Sequence, residues 1–424
     1  MADITINSAS SGFLYREGQR AGIYWKTPLV GYCFDIDDAG DLNYYKTTDG
    51  GQTFTPGEVS GNVVVGFDTW ADWNTPGNTG TKIHIAYFDS SGATDTIRYC
   101  YLDTATDTVG GDTAIANCGG DGTFYGVSFE HFAITITRTV GGNLHMAYRC
   151  ADSTQAPTSE SYLSANEGVT WSQDSTGPGN IKLFESTPAY DVALLFPSTE
   201  ADSNDTWALY WDSTASEISL KVYDASEGKW ATEASIASSM TQGGASYIQM
   251  DGAIRHSDGH LIAAAWNLVD NAAADLMVWD INGAASITAK TNVITNTAEY
   301  AQCSIFIDQS TDDIYVAYFG GTTWTADVHC LYKKSTDGGA NWGDQTQISV
   351  TNDDLRWVSA GCMHPTLGGR FMPIWFNDDL DDVVTNYDNS VQVDGWVGNF
   401  WGVSVPSNIW GIEKWNVGNV CGVS

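Results

Sequence analysis

One short pattern returns seven times along this chain of 424 residues, and it restricts the fold more than any other feature. Each copy is a turn rich in Asp, Gly or Asn, followed by an apolar strand that ends in an aromatic residue. The closing aromatic residues are Trp25, Tyr87, Tyr148, Tyr210, Trp266, Tyr318 and Trp375, at spacings of 62, 61, 62, 56, 52 and 57 residues. A period of this length indicates a repeat architecture.

Each repeat contains several strands. One strand precedes each closing aromatic residue and another follows it, so three strands can be read per repeat, with room for a fourth. No long stretch shows helical periodicity. Four-stranded units of roughly 40–50 residues are typical of propeller blades. We therefore predict an all-β fold, a β-propeller of seven four-stranded blades, over residues 1–393. A chain of β-sandwich domains fits seven evenly spaced copies less well.

The charge balance excludes some classes of partner. The chain has 52 acidic and 18 basic residues, a formal net charge of −34. Such a surface repels nucleic-acid phosphates and anionic lipid head groups, so we predict neither a nucleic-acid partner nor membrane insertion. The eight cysteines form no CxxC pair, so we expect free thiols. The first residues lack the features of a signal peptide, and we expect a soluble product made without one.

Three segments share a tighter motif, Ser/Thr-x-Asp/Asn-x-Gly-x-x-aromatic. In such a turn the Asp or Asn side chain accepts backbone N–H bonds, the glycine adopts a positive φ, and the aromatic residue packs between strands. The residues at the four defined positions are Thr47, Asp49, Gly51 and Phe54; Ser164, Asn166, Gly168 and Trp171; and Ser335, Asp337, Gly339 and Trp342.

These segments resemble the Asp box, or BNR repeat, of the sialidase-like β-propellers. The resemblance covers the whole chain as a repeat pattern, but its specific motifs cover only three short segments. In that superfamily the Asp box connects the third and fourth strands of a blade, on the side away from the ligand. The resemblance therefore implies a structural role for Asp49, Asn166 and Asp337. A fold by itself does not define an activity.

The resemblance does not extend to the catalytic residues of sialidases. Those enzymes hold the substrate carboxylate with three arginines, one of them in a Phe/Tyr-Arg-Ile-Pro motif that this sequence lacks. We place five arginines beside first-to-second-strand turns, with the Asp boxes: Arg16, Arg20, Arg138, Arg255 and Arg370. Arg98, Arg149 and Arg356 could reach the opposite face, where acidic loops would repel an anionic sugar. We predict no sialidase activity.

Two other groups of residues are candidates for a site. Glu130 and His131 open a strand at that opposite face, where polysaccharide lyases of similar fold can place a histidine base. A hydrogen-bonded structural pair is the alternative. Two acidic loops offer oxygen ligands for Ca²⁺, although solvated loops without a metal are the alternative. The candidate ligands are Asp35, Asp37, Asp41, Asp378 and Asp381. We predict no cofactor, with Ca²⁺ as the one exception left open.

The last residues, 394–424, are rich in Trp and Gly and low in charge. Exposed Trp clusters mark contact surfaces. This segment can close the ring, contact a partner, or do both. The proposed contact residues are Trp396, Trp401, Trp410 and Trp415.

Two classes of function fit the sequence. The first is a non-enzymatic binding or structural module, a bacteriophage virion or tail protein found in the virion or at a cell surface after release. Its partners would be other virion proteins, further copies of itself and host-surface glycans. The alternative is a carbohydrate-active enzyme, a polysaccharide lyase or a glycosidase, with a neutral or cation-bridged polysaccharide as its substrate.

Overall fold

Seven antiparallel sheets form a ring in the computed structural model of the chain, which confirms the predicted seven-bladed β-propeller. The structure describes residues 3–11, 20–92, 95–117, 133–150, 158–174, 182–184, 191–200, 202–240, 250–267, 274–297, 302–320, 328–350, 353–393, 408–409 and 412–413. A 3-10 turn at Asp72–Asn74 interrupts the strands. Within these ranges, no helix has the length and apolar character needed to cross a bilayer.

The first three blades follow one another along the chain. Strand β1 (Ile4–Asn7) comes first but belongs to blade 7. Blade 1 contains β2 (Tyr24–Trp25), β3 (Gly31–Ile36), β4 (Leu42–Thr47) and β5 (Thr55–Ser60). Blade 2 contains β6 (Val64–Ala71), β7 (Lys82–Asp89), β8 (Thr96–Asp103) and β9 (Thr108–Asn117). Blade 3 contains β10 (Ala133–Arg138), β11 (Leu144–Cys150), β12 (Thr158–Ser164) and β13 (Ser172–Gln173).

In blades 4 and 5 two short strands share the fourth position. Blade 4 contains β14 (Val192–Pro197), β15 (Thr206–Asp212), β16 (Glu217–Asp224), β17 (Lys229–Trp230) and β18 (Ala234–Ala237). Blade 5 contains β19 (Met250–Ile254), β20 (Leu261–Asn267), β21 (Ala274–Ile281), β22 (Ile287–Ala289) and β23 (Ile294–Thr297). Both β17 and β18 pair with β16, and both β22 and β23 pair with β21.

The last two blades complete the ring. Blade 6 contains β24 (Cys303–Asp308), β25 (Asp313–Gly320), β26 (His329–Ser335) and β27 (Thr346–Gln347). The last part of the ring contains β28 (Leu355–Ser359), β29 (Gly369–Phe371), β30 (Ile374–Asn377), β31 (Asp382–Thr385) and β32 (Val391–Val393). The four-stranded sheet of blade 7 consists of β28, β30, β31 and β1, and β29 pairs with β32 in a two-stranded sheet. A separate hairpin pairs β33 (Asn408–Ile409) with β34 (Ile412–Glu413).

The strand order gives the propeller two distinct faces. First strands of successive blades contact each other, so they lie around the central channel. We call the end of the ring that carries the first-to-second and third-to-fourth turns the turn face. The end that carries the second-to-third turns and the connections between blades is the rim face.

Six of the seven closing aromatic residues lie in a second strand, from Tyr87 in β7 to Trp375 in β30. Trp25 is the exception, because it lies in β2, the first strand of blade 1. Its ring is fully buried and packs beside Gly31 and Gly369. The copy of the pattern that ends at Trp25 therefore forms the first strand of its blade, and β3 is the second. The short first strand of this blade ends in an aromatic residue of its own.

The N-terminal strand closes the ring. Strand β1 pairs antiparallel with β31, with Ile4 opposite Thr385 and Thr5 opposite Val384. It thereby occupies the outermost position of blade 7, next to strands from the other end of the chain. Closure at this position needs no strand from residues 394–424. Apart from the β33–β34 hairpin, that segment and its four Trp residues lie outside the described residues, and its role stays a prediction.

One buried carboxylate links the closing strand to blade 1. The Nδ2 atom of Asn7 donates to Oδ2 of Asp35 at 2.7 Å, and Asp35 is only 1% exposed. Burial raises the pKa of Asp35 to about 7, although the hydrogen bonds from Asn7 and Ser10 oppose the shift. Asp35 therefore keeps its proton in the folded protein at pH values where the unfolded chain has lost it.

This linkage predicts that the protein loses stability as the pH rises through about 7. The stabilisation from Asp35 is complete below the ordinary Asp pKa of about 4 and is lost as the buried carboxyl ionises. Asp35→Asn should flatten the dependence of the free energy of unfolding on pH between about pH 4 and about pH 7. The measurement is urea unfolding at a series of pH values, with the exposed Asp38→Asn as the control. Equal pH profiles for Asp35→Asn and the wild type would contradict the linkage.

Polar side chains of the innermost strands connect neighbouring blades. Innermost strands have one edge without a partner strand, and their buried N–H groups need acceptors. Side chains of the preceding blade supply them. The bonds are Ile136 N to Asp68 Oδ2 (2.9 Å), Leu195 N to Thr135 Oγ1 (3.0 Å), Ile305 N to Asp251 Oδ2 (2.9 Å), Ala360 N to Ser304 Oγ (3.0 Å) and Gly22 N to Ser359 Oγ (2.8 Å).

Arg20 lies in the central channel, not beside a turn of the turn face, so its predicted position was wrong. Its guanidinium makes a bidentate ion pair with Asp68 of blade 2, whose side chain is fully buried. It also donates to the carbonyls of Ile136 (2.6 Å, blade 3) and Leu195 (3.1 Å, blade 4). Burial alone would lower the pKa of Arg20, but Asp68 raises it above its usual value. Arg20 therefore joins four blades through one charged group.

Removing this charge should strongly destabilise the ring. Arg20→Leu leaves the Asp68 carboxylate buried without its cation, which costs about 3–5 kcal/mol of unfolding free energy in comparable pairs. The matched control is Arg98→Leu, which breaks a partly exposed pair with Asp112 and should cost about 1 kcal/mol or less. Urea unfolding measures both. A loss for Arg20→Leu no larger than for Arg98→Leu would show that the ring does not depend on the channel pair.

Candidate functional site

The three motif segments form closely similar turns on the turn face. Each follows the third strand of its blade, namely β4, β12 or β26. In the first turn, Oδ1 of Asp49 accepts the N–H groups of Gln52 (2.9 Å) and Thr53 (3.0 Å), and Oγ1 of Thr47 accepts that of Gly51 (2.8 Å). The other two turns repeat this pattern. Asn166 accepts from Thr170 N, Ser164 from Gly168 N, Asp337 from Asn341 N and Ser335 from Gly339 N.

The glycine and the aromatic residue of each motif serve packing. Gly168 has a φ of +86°, and a Cβ atom there would lie 2.0 Å from the Tyr99 ring of the preceding blade. The Trp171 ring meets the same Tyr99 ring at 5.2 Å between centroids. In the third turn, Nε1 of Trp342 donates to the Thr291 carbonyl of blade 5 at 2.8 Å. Phe54 packs partly buried against the core of blades 1, 2 and 7.

The contact between Gly168 and Tyr99 predicts a difference between two glycine substitutions. Gly77 also has a positive φ, +78°, but no atom lies within 4 Å of a Cβ atom built there. Gly77→Ala should cost about 1–2 kcal/mol for backbone strain alone. Gly168→Ala should cost a further 1–3 kcal/mol or so, because the Tyr99 ring must move. Thermal and urea unfolding of both variants test this, and equal losses would exclude the packing role.

Arg98 of the rim face is already paired. Its Nε and Nη2 atoms donate to the two carboxylate oxygens of Asp112 at 3.0 and 2.7 Å, and Asp89 lies 3.5 Å from Nη1. The hydrogen bonds from Asp112 raise the pKa of Arg98 above its usual value. Asp112 also accepts from the hydroxyl of Tyr87 at 3.0 Å. Arg98 is thus part of a paired cluster on blade 2.

The other two candidate arginines have different partners. Arg149, at the end of β11, is 1% exposed and donates to the Asp191 carbonyl at 3.3 Å. Arg356 makes a bidentate pair with Asp354, and its Nη2 atom lies 3.0 Å from Asp378. The described contacts therefore place the three arginines in three separate groups, on blade 2, at the junction of blades 3 and 4, and on blade 7. Glu130 and His131 lie outside the described residues.

Tyrosine–carboxylate pairs form a group of candidate site residues that the sequence analysis did not predict. Glu160 of blade 3 accepts the hydroxyls of Tyr162 (2.7 Å) and Tyr148 (3.2 Å), and the two tyrosine rings stack. In blade 4 the Tyr210 hydroxyl donates to Asp191. Burial, followed by the charge of Glu160, raises the pKa of Tyr148, so this hydroxyl stays protonated and acts as a donor. The signal in the sequence was the alternation Glu160-x-Tyr162, which puts both side chains on one face of a strand.

Glu160 and Tyr162 are the accessible members of this group. Both are partly exposed, whereas Tyr148 and Tyr210 are buried. A partly exposed aromatic ring beside a carboxylate offers a flat apolar surface and two strong acceptors. Sugar rings present C–H faces and hydroxyl donors to such a pair. The arrangement can therefore bind a carbohydrate without an added cofactor.

Charge is distributed unevenly between the two faces. On the turn face, cations pair with carboxylates: Lys46–Asp107, Lys82–Glu167, Arg138–Asp72, Arg255–Asp280 and Lys334–Asp313. On the rim face, carboxylates lie close together around few cations. Burial raises the pKa of Asp378, and Asp354, Asp381 and Asp379 raise it further, although Arg356 opposes them. The rim face, with fewer cations, is therefore the more negative of the two faces.

The candidate calcium ligands interact with other groups of the protein. Oδ1 of Asp37 accepts the N–H groups of Ala39 (2.9 Å) and Asp41 (3.0 Å), and Oδ2 accepts from Asn43 (3.0 Å). Asp35 is buried against Asn7, and Asp378 pairs with Arg356. Asp381 has a positive φ, and its carbonyl accepts the N–H group of Ser10. Among the described residues, no three His, Cys, Asp or Glu side chains are grouped so that they could hold a metal ion.

The central channel contains a cavity too small for a sugar ring. The 3-10 turn of blade 2 reaches across the channel, where the Asn74 carbonyl lies 3.1 Å from Nε2 of His256 in blade 5. Trp73 stacks on His364 of blade 7 at 6.1 Å. The space between this turn and Arg20 is about 50 Å³, whereas ligand pockets usually measure about 300–1,000 Å³. The rim face is thus the candidate site.

Comparisons with known proteins show the fold class. A polysaccharide lyase of family PL25, an ulvan lyase solved with a -[GlcA(1-4)Rha3S]- ligand, is 11% identical over 93% of this chain and 95% of its own, with a TM-score of 0.56. AofleA from Arthrobotrys oligospora is 12% identical over 82% of this chain and 94% of its own, with a TM-score of 0.46. No protein-family model matches the chain, and neither does any curated protein. At this identity the likeness to the lyase shows a shared β-propeller fold alone.

Proposed function

We propose that this protein is a glycan-binding β-propeller without a catalytic role, whose rim face binds a neutral or cation-bridged polysaccharide. The observation that carries the proposal is the accessible pair of Glu160 and Tyr162 on that face. Their side chains combine a sugar-stacking ring with a hydroxyl acceptor. The surrounding carboxylates disfavour an anionic sugar. The fold shared with a polysaccharide lyase adds support.

We further propose that the protein works within an assembly, as a bacteriophage virion or tail component in contact with other virion proteins and further copies of itself. Two sequence features support this part. The acidic composition keeps the propeller soluble and discourages non-specific contacts between rim faces. The Trp-rich segment 394–424, with Trp396, Trp401, Trp410 and Trp415, provides a low-charge contact region.

Binding to immobilised neutral polysaccharides tests the glycan proposal. Glu160→Gln should weaken binding about tenfold or more, because a hydrogen bond to a charged group contributes about 1.5–3 kcal/mol. Tyr162→Ala should weaken it further by removing the stacking ring. The control is Glu58→Gln, an exposed carboxylate on the outer strand β5 of blade 1. If both single variants, Glu160→Gln and Tyr162→Ala, bind the polysaccharide with wild-type affinity, this pair is not the binding site.

A carbohydrate-active enzyme is the second candidate, favoured by the two hydroxyls that converge on Glu160. A carboxylate between two protonated tyrosines can pass a proton to or from a bound sugar. The same incubations can be assayed for new reducing ends and for unsaturated products. Product formation that Glu160→Gln abolishes would replace the binding-only proposal with the enzyme. Sialylated substrates should release no sialic acid.

A further inference from the structure

An exposed apolar patch lies on the turn face at the junction of blades 7 and 1, which we call the seam. Leu29, in the first-to-second turn of blade 1, is 40% exposed, and Leu367, in the same turn of blade 7, is 51% exposed. Gly50 lies next to both turns. Its N–H donates to the Leu29 carbonyl at 2.9 Å. A Cβ atom built on Gly50 would lie 3.3 Å from Nε of Arg370, three residues after Leu367.

Two cations near the seam form no salt bridge among the described residues, although Lys26 lies near Asp107. Arg370 lies over the Tyr387 ring at 4.7 Å and donates to the Ser390 hydroxyl, and its Nε atom is buried without an acceptor. Lys26 donates to the Thr104 carbonyl at 2.8 Å. Within the described ranges, no carboxylate makes a salt bridge with either residue, unlike the paired cations elsewhere on this face. The seam therefore combines two exposed leucines with a guanidinium that makes no salt bridge among the described residues.

The chain leaves the propeller beside this patch. Val393, the last residue of β32, pairs with Gly369, two positions from Leu367. Beyond it lie 31 residues, 394–424, which the ring does not need, because β1 already occupies the outer position of blade 7. The exit point thus puts the Trp-rich segment within reach of the seam of its own or a neighbouring copy.

The composition of this segment complements the seam. Its side-chain charges are Asp394, Glu413 and Lys414, so acidic groups are available for Arg370 and Lys26. Its four Trp rings can cover the exposed leucines and stack on the guanidinium. Aromatic side chains bury about 150–250 Å² each, so four rings bury about 600–1,000 Å². A stable interface needs about 800 Å² from each partner.

We propose that the seam binds residues 394–424 of a second copy of this chain, and that two copies exchange these segments in a two-fold dimer. A two-fold contact uses the same patch on both copies. Each chain has one seam and one C-terminal segment, so each copy can bind the segment of the other. Most of the cations that form ion pairs lie on the turn face, so two turn faces repel each other less than two rim faces do. The inference rests on the assembly part of the proposed function and leaves the rim face free for a glycan.

Light scattering on the full chain tests the proposal. The wild type should have the mass of a dimer, and a chain truncated after Val393 should be monomeric. The double variant Leu29→Lys and Leu367→Lys should also be monomeric, because it puts two charges into the apolar part of the seam. The matched control is Val63→Lys and Leu380→Lys, which changes two residues of similar exposure on the rim face and should stay dimeric.

Several results would overturn the proposal. These are a monomeric wild-type chain, a truncated chain that stays dimeric, or rim-face and seam variants that dissociate alike. A monomeric wild type would assign the segment to its own seam if its additional Trp fluorescence, measured as the difference from the chain truncated after Val393, is protected from quenchers in the wild type and exposed to them in the Leu29→Lys and Leu367→Lys variant. If the seam variant fails to fold, Arg370→Gln takes its place and should weaken the dimer about tenfold. Glycan binding by the truncated monomer, measured in parallel, separates failure of the dimer from failure of the rim-face site.

Discussion

The ion pair of Arg20 and Asp68 in the central channel connects four blades through one buried charge. Seven sheets around an axis leave seven inner strand edges without partner strands, and their buried polar groups need acceptors. Side chains such as Asp68 and Asp251 meet part of this need by accepting N–H groups of the next blade. Arg20 adds a cation that reaches blades 2, 3 and 4 and balances the buried charge of Asp68.

Filling the channel in this way has a consequence for function. Because Arg20 and the 3-10 turn of blade 2 leave only a small cavity, a polymeric ligand must bind at the end of the ring. The two ends differ in kind. On the turn face, hydrogen bonds hold the motif turns and the cations pair with carboxylates. Carboxylates and tyrosine hydroxyls make the rim face acidic and rich in hydrogen-bonding groups, which suits hydroxylated ligands.

The sequence predicted the candidate site and the surrounding turns only in part. Asp49, Asn166 and Asp337 were recognisable because the turn that each of them forms is a local structure, made by residues within eight positions of each other. Glu160 and Tyr162 share one strand, and their spacing was visible. The contribution of Tyr148 from the next strand, and the pairing of Arg98 with Asp112, depend on strand register. Register between strands is a property of the folded sheet.

The sequence alone determined the number of blades, their antiparallel strands and the three turns, because periodic apolar strands and turn motifs act over short distances. The tertiary structure decided which strand closes the ring and where Arg20 lies. Asn7 and Asp35 belong to different blades, as do Arg20 and Leu195, and their sequence separations are 28 and 175 residues. No local pattern encodes such a contact. It is decided by the burial of charge, which requires a partner wherever the completed ring excludes water.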